Sequence, residues 1–107
     1  MPDFAHPSER AVASLLTGYG IRWEYEPTTF VLSADDEGNP TAAFTPDFHL
    51  PDFDVYLEVT TVRQSLATRK HRKIRMLTES YPGVRVLLLN RRDVELLGAK
   101  YGLAHAA

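Results

Sequence analysis

Hydrophobic and polar positions along the chain change period repeatedly, and each change marks an element. Over residues 7–19, "PSERAVASLLTGY", Val12, Leu15, Leu16 and Tyr19 recur at helical spacing. Pro7 and Ser8 are start signals, and Gly18 and Gly20 stop the helix. Glu9 lies one turn before Val12 and two before Leu16, at the border of the buried stripe. "IRWEYE" then alternates Ile21, Trp23 and Tyr25 against Arg22, Glu24 and Glu26, the pattern of a strand with one wet face. After Pro27, "TTFVLS" is a second run of strand formers, "ADDEGNP" is a turn, and "TAAFT" resumes a strand. These pieces read as one antiparallel meander, or Pro27 bends a single long strand.

The stretch "TPDFHLPDFDVYLEVTT", residues 45–61, is a turn between two strands. Pro46 cannot donate to a ladder and belongs at an edge or bend. In the second strand Val55, Leu57 and Val59 point one way and Tyr56, Glu58 and Thr60 the other. Residues 65–81 are helical, ended by Pro82-Gly83. At ~100° per residue, Leu66, Ile74, Leu77 and Tyr81 define its inward stripe. Lys70 falls in the middle of that stripe, Lys73 on its border, and Arg72 and Arg75 on the far side. "VRVLLLN" predicts a strand covered on both faces. "RRDVELLGAKYG" predicts a last helix, and "LAHAA" a frayed tail. The order α-β-β-β-α-β-α puts the chain in the α/β (α+β) class. It forms a single domain over residues 1–107, with no repeat, linker or low-complexity segment.

Charged residues make up 24% of the chain, which argues for a folded domain. No apolar run approaches the ~20 residues that span a bilayer, and "MPDFAHPSER" lacks a secretory pattern. Without cysteine, disulfides and thiolate metal sites are excluded, which fits a cytoplasmic location. Net charge is −2, but six of the twelve basic residues fall in residues 63–75 with no acid among them. That segment is either a patch for a phosphate backbone or a solvated helix face.

Asp47 and Glu58 stand eleven residues apart on two strands that a tight turn brings together. Neighbouring carboxylates repel unless protons or a cation intervene. Mg²⁺ takes a few carboxylate oxygens, keeps several waters, and activates a water or polarises a phosphodiester. The plain alternative is that Asp47 caps a turn and Glu58 faces water. An inward Lys70 calls for an anion, since lysine is rarely buried alone; the alternative is that Lys70 and Lys73 both run out over the helix edge. Arg63 and Arg69 suit backbone phosphates, and Gln64 suits a water, a phosphate or a loop cap. His49 shares the face of Asp47 and is given no catalytic part. His6, His71 and His105 form no pair at zinc-ligand spacing. Glu26 ends a strand beside the acids. No glycine-rich phosphate loop or Ser-centred nucleophile motif is present.

"TPDFHLP…DVYLEVT" within this order of elements resembles the PD-(D/E)XK nuclease superfamily, the restriction-endonuclease-like fold, and within it small junction-resolving endonucleases. The resemblance covers residues 9 to about 95. It implies an α-β-β-β-α-β core with a central mixed sheet flanked by helices, and Mg²⁺- or Mn²⁺-dependent phosphodiester hydrolysis. Asp47 matches the motif aspartate, Glu58 the strand acid and Glu9 the acid on the first helix, together the metal ligands. Thr60 stands where the pattern has a lysine that orients the attacking water and offsets charge at the phosphate. Lys70 first, and Lys73 second, are the candidates to supply that charge. The catalytic set is then Asp47, Glu58, Lys70, Lys73 and Thr60, with Arg63, Gln64, Arg69 and Arg72 on nucleic acid. DNA is favoured over RNA as partner, with structure rather than long sequence recognised, and a homodimer or a targeting protein is expected. The rival reading keeps the fold and the basic face but no catalysis: a module that binds nucleic acid or a partner protein.

Overall fold

The computed structural model describes residues 2–60, 64–90, 92, 93 and 96, the side chains of 64–67 excepted. It is a small mixed α+β domain. In chain order the elements are α1 (Pro7–Gly18), β1 (Glu24–Tyr25), β2 (Phe30–Ala34), β3 (Pro40–Phe44), β4 (Phe48–Leu50), β5 (Val55–Thr60), α2 (Gln64–Ser80) and β6 (Val86–Asn90). A mixed sheet has the order β1-β4-β5-β6, with β5 and β6 parallel and the other pairs antiparallel. Among the described residues, strands β2 and β3 pair only with each other, as a separate ribbon.

The single meander is therefore corrected: β1 does not continue into β2 but pairs with β4, in the register Glu24↔His49 and Tyr25↔Phe48. The cause is local. Glu26 adopts a left-handed φ of 47° and Pro27 follows, so the chain turns out of the sheet there instead of bending within it. Glu26 still donates its N–H to the Asp47 carbonyl at 2.9 Å before the chain leaves.

The alternation read in β5 sets two cores on the two faces of the sheet. Val55, Leu57 and Val59 join Phe48 and Leu50 against Val12, Ala13 and Leu16 of α1. Phe48, fully buried, is ringed by Phe4, Trp23 and Tyr25 at centroid distances of 5.6–6.1 Å. On the other face Tyr56 packs with Phe30 and Phe44 of the ribbon and with Ile74 and Leu77 of α2. Helix α2 and the residue after it also close the ribbon's edges with polar atoms: Lys73 Nζ donates to the Ala43 carbonyl (3.1 Å) and Tyr81 Oη to the Val31 carbonyl (3.0 Å). Strand β6 lies at the sheet's end, and Leu87 is 53% exposed, so the expectation of cover on both faces does not hold for it. The helix expected over residues 91–102 lies mostly outside the described residues, as does the tail. No described helix is long and apolar enough to cross a membrane.

Candidate functional site

The β4–β5 ladder runs Phe48↔Leu57, His49↔Tyr56 and Leu50↔Val55. One step further, where Pro46 has no N–H to give, side chains take over from the backbone. Asp47 N–H donates to Glu58 Oε1 (3.0 Å), and Val59 N–H donates to Asp47 Oδ2 (2.8 Å). The two acids stitch the end of the strand pair and are buried, Asp47 8% and Glu58 4% exposed. Sequence reasoning brought them together; what it missed is that each also replaces a ladder bond.

Lys70 reaches this pair from α2. Its Nζ lies 2.9 Å from Glu58 Oε2 and donates to the Val59 carbonyl at 2.9 Å. The stem is half-buried, so the ammonium is held by anionic and carbonyl oxygens at the sheet surface. Lys73 is not brought to the acids, because the ribbon lies under that turn of α2 and the Ala43 carbonyl takes its ammonium. Arg69, Arg72 and Arg75 are exposed. Gln64 opens α2, its side chain outside the description; Arg63 and the expected inward Leu66 side chain also lie outside it.

One ammonium against two buried carboxylates leaves a negative charge over. Burial, and then the charge of Glu58, push the Asp47 carboxyl up to about 8; Glu9 adds to this, while Val59 N–H and Lys70 act against it. Glu9 is felt by Asp47 but is held elsewhere. It is buried in the first turn of α1, and Tyr25 Oη donates to its Oε1 at 2.5 Å. Burial, then that bond, raise the Tyr25 hydroxyl above the usual tyrosine range, keeping it a donor. An open cavity of about 310 Å³ near the start of α1 is lined by Asp3, Phe4, His6, Pro7 and Arg10, and by neither acid of the pair.

Whether these residues fit a hard divalent cation rests on the donors. All are oxygens, and a carboxylate offers about four lone-pair sites, so Asp47 and Glu58 retain acceptor capacity beyond the bonds they make. Among the described residues no three His, Cys, Asp or Glu converge, so the protein would offer two carboxylates rather than the three of the sequence reading. Thr60, 4% exposed, has an Oγ1 with no hydrogen-bond partner, the only such buried side-chain atom among the described residues. A negative pair with an unsatisfied hydroxyl nearby on the same strand is a donor set that a cation with its waters fits.

A second polar cluster was not legible in the sequence. His49 Nδ1 lies 2.8 Å from Glu24 Oε1 and its Nε2 3.2 Å from Asp54 Oδ1, with the ring against that of Tyr56 at a centroid distance of 4.5 Å and a tilt of 35°. Burial alone would lower the His49 pKa; the bonds and charges of Glu24 and Asp54 outweigh it and raise it. With both ring nitrogens engaged, His49 ties β1 to the turn before β5. Compared with known proteins, the chain matches no family model, no curated protein and no solved structure.

Proposed function

We infer that the protein is a nuclease: a divalent-cation-dependent phosphodiesterase acting on nucleic acid, built on a restriction-endonuclease-like core. The observation that carries this reading is Lys70 Nζ, 2.9 Å from Glu58 Oε2, delivered by α2 to the acid pair that the sheet presents. A lysine on that helix supplies the positive charge that Thr60, on the strand, lacks.

Asp47 and Glu58 would hold Mg²⁺ or Mn²⁺, with Glu9 in contact only through water. When bound, the ion supplies Lewis-acid polarisation of the phosphodiester and a more acidic water. The side chains do the rest. Glu58 fixes Lys70, whose remaining N–H faces the negative charge that grows on the phosphoryl oxygens. Asp47, once deprotonated, is an acceptor for a proton of the attacking water. The water oxygen bonds to phosphorus, the bond from phosphorus to the leaving oxygen breaks, and that oxygen takes up a proton from solvent. Exposed Arg69 and Arg72 bind backbone phosphates without reading sequence.

The test is incubation of the purified protein with Mg²⁺ or Mn²⁺ and a panel of linear, single-stranded and branched DNA and RNA, with Asp47→Asn as control. Cutting by the parent alone is the expected result. Binding without cutting, unchanged in Asp47→Asn, replaces this reading with a non-catalytic nucleic-acid-binding module.

A further inference from the structure

We propose that Thr60 Oγ1 is the third protein oxygen of the cation site, holding a water of the bound cation at the end of the β4–β5 pair that carries Asp47 and Glu58. The proposal deepens the metal-site reading above and rests on it. Three observations carry it. Thr60 follows Glu58 by two residues in a regular strand, so both side chains leave the same face, the one toward α2. The regular β4–β5 ladder ends at Phe48↔Leu57, so Thr60 lies beyond its last backbone pair, on the stretch where the side chains of Asp47 and Glu58 take over. Its hydroxyl is nonetheless buried and makes no hydrogen bond.

A buried hydroxyl left without a partner costs about 1–3 kcal/mol, and a folded chain keeps one where a ligand or water completes it. Lys70 already grips the Val59 carbonyl, in the stretch between Glu58 and Thr60, so Thr60 is the next residue along the strand from the charged patch. The chemistry selects the ligand. With two carboxylates beside it, the patch favours a cation; with no third acid or imidazole among the described residues, that cation keeps most of its waters. A water on the ion needs an acceptor for its proton, and the Thr60 hydroxyl oxygen is one. Thr60 is thus a positioning residue, acting on a water.

The experiment is calorimetric titration with Mg²⁺ and Mn²⁺ at pH 8.5, plus melting curves with and without the ions, on the parent, Thr60→Val, Thr60→Ser and Asp47→Asn. Valine matches threonine in shape and lacks the hydroxyl; serine keeps it. Expected are a roughly tenfold weaker cation affinity in Thr60→Val, parental affinity in Thr60→Ser, and a metal-free Thr60→Val that melts at or above the parent. Equal affinity in Thr60→Val and the parent overturns the proposal, as does a parent that binds neither ion. Thr60-dependent cation binding in a protein that cuts no nucleic acid sustains the proposal while removing the hydrolytic reading, so the two fail separately.

Discussion

His49 of β4 and Asp47, the residue just before that strand, each belong to a trio of one cationic group and two carboxylates. In the outer trio His49 lies between Glu24 and Asp54, whose side chains are 54% and 84% exposed. Water shares the charge there, and both ring nitrogens have partners. In the inner trio Lys70 meets Glu58, and Glu58 meets Asp47, with both acids buried. The same groups, moved inward by two residues, cease to balance: burial removes the water that would screen the second carboxylate, and Asp47 is pushed up to about 8. The outer trio is closed and fastens the fold. The inner trio holds a proton in place of a second positive partner, and the proposed cation site rests on that imbalance.

The largest effect is expected from the inner acids. Asp47→Asn should lower cleavage roughly a thousandfold, the several kcal/mol of charge stabilisation tied to a cation at ~1.4 kcal/mol per tenfold. Asparagine is the informative change because its carbonyl still accepts from Val59 N–H. Asp47→Ala would orphan that buried donor and cost about 1–3 kcal/mol, so its failure would not separate chemistry from folding. Full activity in Asp47→Asn, measured on the best substrate of the panel, would make the two trios equivalent and purely structural.

Next is the helix lysine. Lys70→Met should reduce cleavage about a hundredfold, the scale of losing one donor aimed at developing charge. Adding Thr60→Lys to it should restore part of the loss, since it returns the charge to the strand. A double variant no better than Lys70→Met breaks the claim that helix and strand positions are interchangeable sources of one charge. Lys73→Met, whose ammonium serves Ala43, should leave cleavage within a few-fold of the parent and instead lower stability.

Much of this was legible in residue order, for reasons of geometry. Alternation in residues 55–60 fixed which side chains of β5 face α2, and helical spacing put Lys70 over them. Both are local rules acting over a few residues. What escaped depended on where distant segments lie. Lys73 borders the inward stripe that holds Lys70, yet meets the ribbon because Glu26 takes a left-handed φ and sends β2–β3 beneath α2. No residue-type signal marks a glutamate for that conformation. Glu24 joins His49 only through the β1–β4 pairing, a contact 25 residues apart. The takeover of ladder bonds by Asp47 and Glu58 was equally hidden, though a proline just before the aspartate is the signal that the ladder must stop there.

A smaller effect separates the trios by pH in the metal-free protein. Asp47 has its ordinary value of 3.8 in the unfolded chain and about 8 when folded. Between those values the folded state binds the extra proton, so this group's contribution is full below about pH 4 and lost as pH rises through about 8. Stability by urea unfolding should therefore fall by a few kcal/mol from pH 4.5 to pH 8.5 in the parent, beyond any fall in Asp47→Asn. Saturating Mg²⁺ should flatten the difference by replacing the proton. Parallel curves for parent and variant would mean that Asp47 is not the group carrying the excess proton.

The smallest expected change is in the outer trio, and it sharpens the contrast most. His49 is raised above 6.5 when folded, so its stabilising charge is present below 6.5 and is lost as pH climbs through the folded value. Its carboxylate partners are open to water, which limits the gain to under about 1 kcal/mol. In an Asp47→Asn background, where the inner titration is silent, His49→Gln should lower stability by that amount at pH 5.5 and by less at pH 8.5. Made alone in the parent, the same change should leave Mg²⁺ affinity at pH 8.5 where it was, because neither ring nitrogen of His49 faces the acid pair. A Mg²⁺ affinity that dropped with His49→Gln would show that the strap and the site are one network, and the division between a closed and an open trio would have to be given up.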